Sequence, residues 1–182
     1  MDRRSAAELF ASVPERNTGD ALLRTAQQHH VALSSMADVK ANILITVSSV
    51  VLTLSLARLD DPTLRTSALT LSAFTLIALL LAILTVLPKY GAPRPRGDAL
   101  PAEFNLLFFG HFAALPRERF LVEIARAMQA DGSVYATMAA DLYALGWYLA
   151  HRKYRFLRLS YLFFLVGFVL ACAQQVWRLA LR

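Results

Sequence analysis

The chain has 182 residues, 57% of them hydrophobic and 18% charged, with a formal net charge of +6. That balance is too apolar for an ordinary soluble domain of this length. The apolar residues collect in three blocks, as membrane spans do, and the basic residues gather beside those blocks, which speaks against nucleic-acid binding as the origin of the charge.

Residues 1–17 carry Pro14, Asn17 and scattered charge with no clean period, and read as a flexible tail or a short surface helix. Arg3 and Arg4 are followed by mixed polar residues, not by an apolar core and a cleavage site, so insertion is expected to use internal spans. Thr18, Gly19 and Asp20 offer a helix start with Asp20 as N-cap. No Pro or Gly then interrupts the chain until Pro62, which predicts one helix running from a soluble stretch, 18–40, into a first span, 41–57. That span is charge-free and slightly short, and Lys40 and Arg58 can make up the difference by snorkelling. A loop around Pro62 leads to a second span, 66–87, stopped by Pro88.

Residues 89–158 form the largest extramembrane segment. It opens with a Pro- and Gly-rich linker, 89–101, and an aromatic segment, FNLLFFGHF, over 104–112. Pro116 is expected at a first helical position. Phe120, Ile124, Met128, Tyr135, Met138, Leu142, Leu145 and Leu149 then recur at helical spacing, with Asp131–Gly132 as a possible break. The third span is 159–177. The fold class is therefore all-α: an integral membrane protein with three transmembrane helices and a cytoplasmic helical region. The loop after the first span balances Arg58 and Arg65 against Asp60 and Asp61. Lys40, Lys89, Arg94, Arg96, Arg152, Lys153, Arg155 and Arg158 flank the other ends, and place the N-terminus and 89–158 in the cytoplasm.

No catalytic set appears: no phosphate-cradling glycine loop, no nucleophile with a base, no metal-ligand cluster. Cys172 is the single cysteine and has no partner for a disulfide or a sulfur-built metal site. His29 and His30 are adjacent and point to different helix faces. Asp38, Lys40 and Asn42 stand at the membrane entrance as candidate gating or packing residues. Asp38 and Lys40 are two apart and do not pair on one face, so Asp38 is either solvated or bonded across to another helix, fixing how the first span packs. Thr46, Ser49 and Thr53 form a polar stripe, read as helix-packing surface or as a lining wetted on rearrangement. Gly167 and Ala171 suggest close packing and oligomers.

Phe109 and His111 lie in a cluster of rings around Gly110. The cluster is either an interfacial anchor or core plug, or a loop that stacks a base and contacts a phosphate. Asp141 is either solvated, paired with Arg152 or Lys153, or an acceptor for a base or ribose. Arg152, Lys153 and Arg155 serve as orientation signal and as candidate holders of an anion.

Three pieces, ADVKANILI (37–45), NLLFFGHFAALPRERF (105–120) and DLYALGWYLAHRKYRFLRLSYLFFLVGF (141–168), resemble in order and spacing the transmembrane effectors of bacterial Pycsar antiphage systems. The resemblance runs from about residue 20 to 178. It implies a sensor of a cyclic pyrimidine mononucleotide, cUMP or cCMP, made by a neighbouring cyclase, with no other cofactor. Binding would impair the inner membrane and stop the infected cell before phage matures. The missing catalytic set points to a non-enzyme, and the Gly167–Ala171 pattern to a homo-oligomer in the lipid membrane. The ligand is expected at the surface shared by the N-terminal helix, the FFGHF segment and residues 141–155. A constitutive channel or transporter component is the rival; it requires flux without ligand.

Overall fold

The computed structural model describes residues 17–88, 100–101 and 104–181. The expected tail, up to residue 16, and most of the linker lie outside the described residues. The described elements are α1 (Asn17–Leu56), α2 (Arg65–Val86), a single-turn α3 (Phe109–Phe112), α4 (Arg117–Ala127), α5 (Asp131–Tyr148), a π-helical turn (Leu149–Lys153) and α6 (Tyr154–Ala180). There is no strand among the described residues. Three helical stretches, Thr18–Leu56, Arg65–Val86 and Gly132–Ala180, are long and apolar enough to cross a membrane. The chain is a multi-pass membrane protein.

α1 is 40 residues long, roughly 60 Å of uninterrupted helix. It begins at Asn17, so Asp20 is not its N-cap: the carboxylate sits inside the first turn, where it faces the positive end of the helix dipole. After Leu56 the helix unwinds through backbone bonds Arg58 N–H to Ser55 O and Leu59 N–H to Leu56 O. Asp61 builds the next turn, accepting on Oδ1 from the backbone N–H (2.7 Å) and hydroxyl (2.6 Å) of Thr63. The Thr63 hydroxyl, then its N–H, hold the Asp61 carboxyl below its usual pKa. α2 ends where Leu87 turns extended (φ −64°, ψ 120°), as the residue before Pro88 must.

The amphipathic pattern breaks just before the expected Asp131–Gly132, over residues 128–130, and Asp131 opens α5. α4 ends at Ala127, and the Ser133 hydroxyl, 2.7 Å from the carbonyls of Ala127 and Ala130, closes the connection. Pro116 lies one residue before the first helical residue of α4. The third span is not a separate helix. From Asp131 to Ala180 the helix is unbroken except for the π turn, because no Pro and no capping residue separates the soluble pattern from the apolar one.

The chain divides into two compact units. One comprises Met1–Ala32 and Pro88–Tyr148, the other Leu33–Leu87 and Leu149–Arg182. In the first, α1 and α5 are parallel: Gly19 faces the Tyr135 ring, Gln27 meets Asp141, and Gly146 faces His30. In the second, small residues let helices approach closely, as they do where lipid offers no hydrophobic drive between helices. A Cβ on Gly167 would overlap Phe74 Cβ, so glycine is what allows α6 to meet α2 there. Beside it the Ser160 hydroxyl donates to the Ala78 carbonyl at 2.6 Å, with Ala78 and Ala82 fully buried. α1 packs through Ala37, Ala41, Leu44, Ser48 and Ser55, and Ser55 bonds Ser72 of α2 at 2.7 Å. At the loop end Gln174 donates to Thr70 (3.1 Å), and Arg178 to the carbonyls of Pro62 (2.9 Å) and Thr63 (2.5 Å). Leu54, Leu69, Leu80, Leu165 and Val169 face outward, as lipid-facing residues do.

The packing face of α1 is therefore not the Thr46, Ser49, Thr53 stripe. Those three hydroxyls are exposed and donate to carbonyls of their own helix, Asn42, Ile45 and Ser49, at 3.0, 2.8 and 2.9 Å. A hydroxyl satisfied by its own previous turn needs no neighbouring helix.

Candidate functional site

Two polar clusters stand out, one in each unit. The first is centred on Asp141, on the α5 face turned toward α1. Its Oδ2 accepts from Gln27 Nε2 at 3.0 Å and its Oδ1 from Asn105 Nδ2 at 2.7 Å. The expected pairing of Asp141 with Arg152 or Lys153 is not made. Twelve positions separate Asp141 from Lys153, and the amides of Gln27 and Asn105 reach the carboxylate first. Among the described residues no cation neutralises Asp141.

Asn105 ties this carboxylate to the aromatic segment. It is buried, and its Oδ1 accepts the Leu107 N–H at 2.9 Å, a short Asx turn that starts the FFGHF loop. Its own N–H donates to His111 Nδ1 at 3.0 Å. That bond fixes the neutral tautomer with the proton on Nε2. Burial pushes the His111 pKa below its usual value, and the occupied Nδ1 agrees with a neutral ring.

The FFGHF segment folds into α3, with Phe108 just before it in extended conformation. His111 is clasped by Phe104 (centroids 5.5 Å) and, edge to face, by Phe108 (5.2 Å). A Cβ on Gly110 would come within 2.5 Å of the Phe108 ring, so glycine makes room for that ring. Phe109 lies 5.1 Å from Phe108 and is 55% exposed; Phe112 stacks on Phe120 of α4 at 4.9 Å. The segment is thus both a plug and a platform. Phe104, Phe108 and Phe112 anchor it, and Phe109 lies at its exposed edge.

The second cluster lies at the π turn. Lys153, only 7% exposed, donates through Nζ to Asp38 Oδ2 at 2.7 Å and to Ser34 Oγ at 2.8 Å. Asp38 thus bonds across to another helix. The Tyr154 hydroxyl donates to the Leu33 carbonyl (3.1 Å) and the Tyr161 hydroxyl to the Lys40 carbonyl (3.3 Å), riveting α6 to α1 on both sides of the pair. Lys40 and Asn42 are exposed and make no side-chain bond across the helices.

The structure thus gathers His111 and Asp141 around Asn105, with Phe109 at the edge of their aromatic platform. Lys153 belongs with Asp38, where its charge is committed, and Arg152 and Arg155 are exposed. Gln27, Asn105 and Ser34 were not among the residues expected from sequence. Asn105 opens the NLLFFGHF piece, and Asn two residues before a turn is a legible signal. Gln27 and Ser34 carry none, being ordinary polar positions of a long helix.

The profile of the Pycsar effector protein domain, PycTM, matches residues 21–179. No curated protein and no solved structure matches the chain. The match takes in both clusters and all three span-length helices almost whole, and the chain belongs to the Pycsar effector family, as a transmembrane effector of antiphage defence.

Proposed function

We propose that this effector senses a cyclic pyrimidine mononucleotide, cUMP or cCMP, through the Asp141 cluster and answers by impairing the bacterial inner membrane, which aborts the infection. The observation that carries the reading is a carboxylate held by two neutral amides, with no countercharge among the described residues, beside an aromatic platform. A carboxylate has lone pairs beyond the two used here and accepts further N–H or O–H donors. A pyrimidine supplies such donors, at uracil N3 or the cytosine amino group, and the ribose supplies its 2′-hydroxyl. The aromatic platform around His111 offers rings of the kind that stack on a base.

The ligand's phosphate is repelled by Asp141 and must point away from it. Arg24, exposed one helical turn before Gln27 on the same helix, is the cation this reading assigns to it. Binding shifts the membrane helices only through differential affinity for two packings. The N-terminus and the 89–158 region lie in the cytoplasm in this reading, where a cyclase product is available. No step calls for catalysis or another cofactor, and a homo-oligomer is the working form.

Vesicles of bacterial phospholipid carrying the whole protein and an entrapped dye test the reading. Leakage is expected on adding cUMP or cCMP and not on adding cAMP. Asp141→Ala and Arg24→Ala are expected to abolish the response, and Arg152→Ala and Arg155→Ala to leave it. Leakage indifferent to nucleotide would overturn the sensor and favour a constitutive channel.

A further inference from the structure

The π turn at Leu149–Lys153 has no Pro and no Gly to explain it. Its cause is readable in the spacing of buried residues. Leu149, Lys153 and Leu157 are buried at steps of four. A regular α-helix advances 3.6 residues per turn, so each step of four drifts about 40° around the axis, and two steps carry a side chain about 80° off its face. A π turn takes in an extra residue and absorbs that drift. It keeps both Leu149 and the Lys153 ammonium on the buried side. An ammonium there needs a partner, and Asp38 and Ser34 supply two.

We infer that the Lys153–Asp38 pair is a latch that stores one extra residue in the π turn, and that its release lets the helix run on in regular α register. Taking one residue out of the turn changes by roughly 100° the face presented before 149 relative to the face presented after 153. Such a change is discrete, because intermediate rotations leave both Leu149 and Lys153 between packed positions. Asp38 is 41% exposed, so on release it passes to water at small cost, while Lys153 turns toward the exposed side already occupied by His151 and Arg152. The latch rests on the proposed sensor reading for its biological consequence, but not for its test.

Amide hydrogen exchange on the whole protein in nanodiscs, without nucleotide, reads the register directly. Deleting Ala150, exposed within the turn, supplies the α-register reference. Exchange across 149–154 should slow about tenfold as regular bonds replace the π turn. Lys153→Glu, which sets two carboxylates against each other, should shift exchange in the same direction. Adding Asp38→Lys to that variant should restore the wild-type pattern. Exchange that is unchanged or faster in Lys153→Glu, or not restored by the charge swap, overturns the latch. Dye leakage of the Lys153→Glu protein without nucleotide separates the two claims. Slowed exchange with tight vesicles keeps the latch and counts against the membrane reading; unchanged exchange removes the latch whatever the vesicles do.

Discussion

Two aspartates, Asp38 and Asp141, are each held by side chains distant in sequence, Asp38 by Lys153 and Asp141 by Gln27 and Asn105, yet their surroundings differ in one respect that decides what each can do. Asp38 meets a buried ammonium, so its charge is cancelled and its geometry committed. Asp141 meets only amides, so its geometry is held while its charge stays open. A cancelled charge makes a joint; an uncancelled one makes a receptor for donors. Lys153, expected from sequence beside Asp141 or against an anion, is used entirely by the joint.

The comparison can be broken most forcefully at the joint. Asp38→Ala removes the countercharge of Lys153 and is expected to cost about 1.5–3 kcal/mol, read as a loss of thermal stability in detergent. Lys153→Met removes the charge with its partner left half in water and should cost well under half of that. Equal losses would mean that Asp38 acts through packing and not through its charge.

Next comes the close approach of α6 to α2. Gly167→Ala forces overlap with Phe74 and is expected to destabilise by about 1–3 kcal/mol, while Gly146→Ala, where the nearest atoms of His30 stand at ordinary contact of 3.4 Å, should cost less than about 1 kcal/mol. The same thermal assay compares them.

At the receptor, Asp141→Ala leaves the Gln27 and Asn105 donors without their acceptor, for about 1–3 kcal/mol. Its effect on nucleotide-triggered leakage should be complete. A variant that loses stability but keeps the response would reduce Asp141 to a structural residue like Asp38.

The smallest effect is a pH dependence. The folded pKa of His111 lies below its ordinary 6.5, so as pH falls through that value the unfolded chain takes up the proton first. Stability should therefore decline from pH 7 toward pH 5, as protonation of Nδ1 displaces the Asn105 N–H. His111→Gln should flatten that slope in melts recorded across the range; a slope unchanged in the variant would assign it to another group.

Much of this molecule is legible without coordinates because lipid imposes a harsh rule. A span must be long, apolar and hydrogen-bonded within itself, so three blocks and their flanking charge mark the helices directly. Gly167 was legible for the same reason, since close approach admits few residue types. The Thr46, Ser49, Thr53 stripe shows where such reading stops. Its period marks one face, but period does not say whether a face meets a helix or lipid. Hydroxyls that bond their own helix are content with either.

The sequence by itself determined an all-α membrane protein, the order of its helices, the uninterrupted run of α1 and the family to which it belongs, since each rests on local composition or on contiguous motifs. Only the tertiary structure decided that Lys153 serves Asp38, that Asp141 is held by Gln27 and Asn105, and that a π turn joins α5 to α6. Two of those three pairings span more than a hundred residues, and one helical turn more or less decides which side chains meet. Spacing along one helix says nothing of the register against another; that is settled by which small residues interlock and which charges find partners before water is excluded.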